Sequence, residues 1–259
     1  MLNRLMKSGT LRNLLIWVCV LAMWETAYRT IGWRSFVFPA PSHLLTSLTD
    51  LLRDGSLIGG VGVSSLRLLI AFAISLATGA LFGILMWSVK WIDELLGSMF
   101  VGLQTIPSVC WVPLAILTFR ISESAILFVT VMGSVFGIAV AFRDGLRSIP
   151  PIYRRAGQML GAGRASLLIH VMAPASLPVF ASTLRQGFGF AWRSLLGGEL
   201  LIYVSSKGLG YYLHTGREFG DVAQVVVVMM AMVCIGILVD RMGFAPLERA
   251  VHRRFGVIT

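Results

Sequence analysis

Charged residues are scarce in this chain, so those lying inside apolar stretches raise the first chemical question. Between residues 175 and 203, Ser182, Arg185, Gly189, Trp192, Arg193 and Glu199 fall within one sector about 120° wide at roughly 100° per residue, while Leu184, Ala191 and Leu195 point elsewhere. An ionisable side chain at membrane depth costs about 3 kcal/mol or more on insertion scales, so such groups face a water-filled route or pair with one another. Two readings stand. In one, this face lines a translocation path on which Arg193 draws small anions. In the other, Arg193 or Arg185 satisfies Glu25 or Glu199 on a neighbouring helix as a structural bridge. Arg193 and Glu199 are too far apart along one helix to pair well with each other.

Reaction chemistry has no comparable foothold. His43, His170, His214 and His252 are scattered, and neither a Gly-x-Ser-x-Gly turn nor a His-Glu-x-x-His pair occurs. A Gly-x-x-x-x-Gly-Lys-Ser/Thr phosphate loop is missing, so the chain has no ATP site of that kind. Cys19, Cys110 and Cys234 all lie in apolar stretches without a close pair or companion histidines, which reads as buried structural thiols with no disulfide and no metal. The expectation is a non-enzymatic chain that holds no cofactor of its own.

The elements that must position these residues are written for lipid. Of 259 residues, 56% are hydrophobic and 13% charged, and the mean hydropathy is +0.81, which describes an integral membrane protein of the all-α class. Measured against the ~20 residues that cross a bilayer as a helix, the apolar stretches place six transmembrane helices at about 11–28, 66–89, 95–119, 124–142, 175–203 and 222–240. They form one domain over 1–259, with a loop at 143–174. Arg4, Lys7 and Arg12 precede the first stretch as in a secretory signal, but Trp24-Glu25-Thr26 follows where a small-residue cleavage site belongs, so it reads as a retained anchor.

Six crossings put both termini on one side. With that side cytoplasmic, the inside segments carry 13 Lys and Arg residues against 7 outside, in the sense of the positive-inside rule. The net charge of +10 is then explained by loops facing anionic lipid, without nucleic acid.

Within the third stretch, Pro107 and Pro113 flank Ser108-Val109-Cys110-Trp111. Each proline removes a backbone donor and clashes with the turn before it, so the pair predicts a kinked or interrupted helix. Broken helices line transport paths, which makes Pro107 and Trp111 path candidates; a bend that only improves packing is the other reading. Gly79, Gly83, Gly133 and Gly137 give small-residue spacing suited to close helix contact. Ahead of the second stretch, Pro41-Ser42 opens a run with Leu44, Leu45, Leu48, Leu51 and Leu52 that Arg53-Asp54-Gly55 ends. It reads as a helix lying on the membrane, or as a gate or receptor contact.

The loop at 143–174 is helix-compatible and basic. Ser148 can cap, Pro151 suits a first turn, and Ile152, Ala156, Met159 and Leu160 repeat at helical spacing before Gly161 or Gly163. Arg154 and Arg155 take the polar side. A short amphipathic helix of this kind is a ligand for a groove on a partner, or it lies among lipid headgroups.

On these residues the chain resembles the transmembrane permease subunits of ATP-binding-cassette importers. Their loop signature is Glu-Ala-Ala, three residues, Gly, nine residues, then Ile-x-Leu-Pro. Here Arg155-Ala156-Gly157, Gly161 and Val171-Met172-Ala173-Pro174 keep every interval, with Arg155 in place of the Glu, Gly157 in place of an Ala and Ala173 in place of the Leu. Phe38-Pro39-Ala40-Pro41-Ser42, Ser65-Leu66-Arg67, Pro107 through Leu114, Ala191-Trp192-Arg193-Ser194 and Gly198-Glu199-Leu200 resemble the nitrate, sulfonate, taurine and bicarbonate branch. The resemblance implies a type I importer fold in the inner membrane of a bacterium. It implies a coupling helix built from Tyr153, Arg154, Arg155, Ala156, Gly157, Met159, Leu160 and Gly161. The implied partners are a second permease copy in a homodimer, two cytoplasmic ABC ATPase subunits that bind ATP and Mg, and an extracytoplasmic solute-binding protein. The solute would be a small anion such as nitrate, a sulfonate or bicarbonate. A secondary transporter or channel without ATP coupling is the competing function, and it leaves the loop spacing unexplained.

Overall fold

The computed structural model describes residues 9–32 and 37–254, so Arg4, Lys7 and Arg34 of the charge count lie outside the described residues. All secondary structure among the described residues is helical. Helix α1 covers Gly9–Ile31 and α2 covers Pro41–Arg53. Pro41 sits in the first turn of α2, where its fixed φ and missing N–H cost nothing, and Asp54 leads into Gly55, whose φ of 73° suits a residue without a Cβ. Leu44 and Leu51 of α2 turn into the protein core while Leu45 and Leu52 remain exposed, so the leucine run is shared between protein and surroundings.

Helix α3, Ser56–Ser88, starts ten residues before the expected span. The extension packs closely: a Cβ on Gly60 would lie 3.0 Å from the Tyr212 ring, tighter than an ordinary contact, so glycine suits that approach. After α4, Lys90–Leu103, the chain breaks over Gln104–Pro107, makes a 3-10 turn at Ser108–Trp111 and continues as α5, Val112–Phe119. The two halves are bent by 105°, the interruption that Pro107 and Pro113 predict, with Pro113 in the first turn of the second half. Helix α6, Glu123–Arg147, leads to α7, Pro151–Met159, and then to the single-turn α8, Arg164–Leu167. A π-turn at Leu168–Met172 feeds α9, Ala173–Leu201. The chain closes with α10, Leu209–Glu218, α11, Val222–Val239, a second π-turn at Asp240–Phe244 and α12, Ala245–Arg254.

Among the described residues, three helices are long and apolar enough to cross a membrane, within 56–88, 123–147 and 222–251, or four if the bent pair counts as one span. Helices α1 and α9 occupy the two remaining expected positions. They fall short of that apolarity, α9 because it carries Arg185, Arg193 and Glu199 and α1 because it carries Arg12, Glu25 and Arg29.

Helices α3, α6 and α9 form the packed centre. A Cβ on Gly79 would stand 2.7 Å from Ile138, and one on Gly83 would stand 2.5 Å from the Phe142 Cβ and 2.7 Å from the Ala139 carbonyl. Ser134 donates to Ser75 across the same seam at 2.8 Å. Replacing Gly83 with Ala therefore forces backbone rather than a flexible side chain to move, and we expect a loss of about 1–3 kcal/mol, read as a lower thermal midpoint of the purified chain in detergent.

The three cysteines are free and exposed, contrary to the buried role expected of them. The physical reason is that an apolar context implies burial only in water. In a membrane chain the outward face is apolar as well.

Candidate functional site

The polar sector of α9 is divided among three environments. At one end Arg185 forks onto Asp240, Nε at 2.5 Å and Nη2 at 2.7 Å, and its Nη1 reaches Glu248 at 2.9 Å. Ser182 donates to the same Glu248 at 2.8 Å. Arg185 is thus a bridge to the π-turn and α12, with partners other than the expected Glu25 or Glu199. Glu25 instead accepts from Arg29, one turn along α1, and from Ser42 at the start of α2.

Trp192 is largely buried against Phe188 and Gly236, packing α9 on α11, and its remaining surface lines the open cleft that Arg193 also borders. Arg193, next along the helix, is exposed. Its Nε donates to the Gly189 carbonyl at 3.0 Å and its guanidinium stands 5.3 Å from the Phe190 ring centroid. Among the described residues it makes no ion pair, which leaves Nη1 and Nη2 as free donors. An open cleft of about 390 Å³ runs past it, with Arg185, Gly189, Phe190, Trp192, Arg193 and Asp240 among its lining residues. Nothing lies within 4 Å of where a Gly189 Cβ would be, so the cleft floor there is clear.

Glu199, at the far end of α9, is 4% exposed and turns away from Arg193 into a buried ionic cluster. Arg67 Nη1 donates to it at 2.6 Å, Ser64 Oγ lies 2.7 and 2.9 Å from its two oxygens, and the Gly210 amide donates at 3.0 Å. Arg67, 6% exposed, also forks onto Glu123 with two contacts of 2.7 Å and reaches the Ser206 carbonyl and hydroxyl. Ser206 Oγ in turn contacts Glu123. Ser64, Glu123 and Ser206 were not among the residues singled out from the sequence, where Arg67 counted as a loop charge and as part of the Ser65-Leu66-Arg67 resemblance, with no ionic partner assigned. The available signal was depth: Arg67 opens one span at the end where Glu199 closes another, and opposite charges at one depth in lipid are expected to meet.

At the break, Pro107, Gln104, Thr105, Val109 and Cys110 are exposed, whereas Trp111 is half-buried with its ring 6.2 Å from Phe136. Trp111 therefore anchors the broken segment to α6, and its indole N–H is buried without a partner among the described residues. Gly133 of α6 lets this segment close in: a Cβ there would lie 2.8 Å from Ser108 and nearer still to the Ser194 hydroxyl of α9.

Helix α7 lies at the end of the bundle opposite Glu199. Gly157 faces inward, where a Cβ would meet Leu167 at 2.6 Å and Val171 at 3.2 Å, and Gly161 ends the helix with a φ of 78°. Ile152, Tyr153, Arg155 and Ala156 point outward, and Met159 and Leu160 are 89% and 87% exposed. The side chain of Arg154 lies outside the described residues.

Comparisons with known proteins agree with one another. The family model described as binding-protein-dependent transport system inner membrane component matches residues 70–245. The chain is 30% identical over 224 residues to a putative aliphatic sulfonates transport permease protein of Escherichia coli, covering 86% of this chain and 84% of that one. It is 24% identical over 212 residues to a nitrate import permease protein of Synechocystis, covering 78% and 76%. It is 26% identical over 182 residues to a bicarbonate transport system permease protein of Synechococcus elongatus, covering 70% and 65%. Among solved structures, a chain of an inward-facing methionine ABC transporter superposes with a TM-score of 0.64 at 18% identity, over 76% of this chain and 96% of that one.

Proposed function

Because the chain belongs to the family of binding-protein-dependent transport system inner membrane components, and is a multi-pass permease subunit of an ABC importer, we propose that it imports a small oxyanion that meets Arg193. The observation that carries this reading is a contrast in charge. Arg67 and Arg185 are each answered by two carboxylates, while Arg193 stands in an open cleft with no counter-ion among the described residues. With Nε held by the Gly189 carbonyl and the plane set against Phe190, the two terminal nitrogens form a fork suited to nitrate, a sulfonate or bicarbonate. The sulfonate, nitrate and bicarbonate permeases among the relatives support that class.

Six crossings with both termini cytoplasmic complete the reading. It counts α1 and α9 as spans, with Arg185 and Glu199 of α9 answered by charges on neighbouring elements, and the broken α4–α5 pair as one. The end carrying α7 is then cytoplasmic, and the Arg67 cluster closes the extracytoplasmic end. Helix α7 serves as the coupling helix: Met159, Leu160, Tyr153 and Ile152 offer apolar contacts, Arg155 a charge, and Gly157 seats the helix on Leu167 and Val171. Its partner is an ABC ATPase, two copies per assembly of two permease chains, and ATP and Mg bind there. An extracytoplasmic binding protein delivers the solute. Deleting residues 152–161 is expected to abolish co-purification of the ATPase while the chain still reaches the membrane; undiminished recovery of the ATPase would sink the docking assignment.

A further inference from the structure

Resting on that docking assignment, we propose that Asp93 is a positioning residue that couples the movement of α7 to the broken span. Asp93 lies in the first turn of α4 with its carboxylate mostly covered. It accepts from Arg147 Nη2 at 2.7 Å and Arg143 Nη1 at 3.4 Å, both from the end of α6, while Arg143 Nε is held by Asp144 at 2.8 Å. Only Ser148, Ile149 and Pro150 separate that end of α6 from α7. The far end of α4 opens directly into the break at Gln104–Pro107. A rod of 14 residues, about 20 Å long, therefore runs from the clamp to the 105° bend.

Beyond the clamp, α4 meets α6 and α3 through aromatic edges, Phe100 on Phe136 at 5.1 Å and Phe82 on Phe100 at 5.4 Å. Non-directional contacts of this kind permit sliding, whereas a carboxylate shared by two guanidinium groups resists it. Gly97 shows that space is kept for the clamp. A Cβ there would stand 2.7 Å from Arg143 Nη1 and 3.2 Å from Asp93 Oδ1, so the missing side chain makes room for the guanidinium one turn above the acid. An acidic residue in a first turn also favours the helix dipole, but that role needs neither two arginines nor an emptied position beside them. When the ATPase displaces α7, the end of α6 follows, the clamp carries α4 with it, and the displacement is taken up at the break.

The chain supplies its own reporter, because Cys110 is exposed just past the break. With Cys19→Ser and Cys234→Ser as background, the full complex with its ATPase is labelled by N-ethylmaleimide, before and after trapping with Mg-ATP and vanadate. The background complex is expected to change its Cys110 labelling rate on trapping. In Asp93→Ala that change should shrink about fivefold, the low end of coupling between linked sites, while ATPase binding and ATP hydrolysis persist. Asp93→Glu should restore most of it. Gly97→Ala, whose methyl meets the tip of the flexible Arg143 and the edge of the Asp93 carboxylate, should fold normally and give a smaller loss, since the Arg147 contact remains; it decides the matter if Asp93→Ala does not fold. Equal rate changes in Gly97→Ala, Asp93→Ala and background, or no change in the background complex, overturn the proposal. Undiminished recovery of the ATPase after deletion of residues 152–161 overturns the docking assignment and this inference with it.

Discussion

Arg67→Ala is expected to destabilise the folded chain by about 3–5 kcal/mol, because it leaves Glu199 buried beside Ser64 and Gly210 with no cation to balance it. Four parts of the chain lose a common partner at once: α3, which carries the arginine, α6 through Glu123, α9 through Glu199, and the segment after α9 through Ser206. Thermal unfolding in detergent, together with the amount of intact chain in the membrane, reads the effect. Glu199→Gln should be milder, since Arg67 keeps both contacts with Glu123 and an amide can still accept from Gly210. Arg67→Lys should fall between the two, as one ammonium cannot reproduce a fork directed at three residues. If Arg67→Ala melts with the unaltered chain, the cluster does not hold that end of the bundle together.

The contrast between Arg67 and the prolines explains what the sequence made legible. Pro107 and Pro113 act through their own ring and missing N–H, and Gly161 through its own φ, so the break and the end of α7 follow from local rules. Arg67 and Glu199 are 132 positions apart, and no local pattern links them. The helical wheel of α9 treats one sector as one environment. In the fold, successive turns of that sector meet different neighbours: Asp240 and Glu248 for Arg185, Phe188 and Gly236 for Trp192, open space for Arg193 and Arg67 for Glu199. Hydropathy likewise could not extend α3 back to Ser56, because that turn packs through Gly60 against Tyr212. The exposed cysteines follow from the same limit: apolar sequence marks what avoids water, and lipid satisfies that as well as a protein core does.

Arg193→Gln is expected to lower import of the anion by about 10- to 100-fold at subsaturating concentration, the equivalent of the ~1.5–3 kcal/mol of a hydrogen bond to a charged group. The chain itself should lose little, because the side chain is exposed and its contacts are one bond to its own helix and one aromatic face, the latter worth about 0.5–1 kcal/mol at an exposed site. Arg185→Gln provides the opposite control, since it strips the shared cation from Asp240 and Glu248 and should reduce folded protein before it affects selectivity. Uptake of labelled nitrate, taurine and bicarbonate, each normalised to the chain present in the membrane, separates the two. Arg193→Lys sharpens the test: it retains the charge that attracts an anion but loses the planar fork, so it should recover part of the uptake and relax the preference among the three solutes. Collapse of assembly in Arg193→Gln would make Arg193 a structural residue, and uptake equal to that of the unaltered chain would remove it from the path.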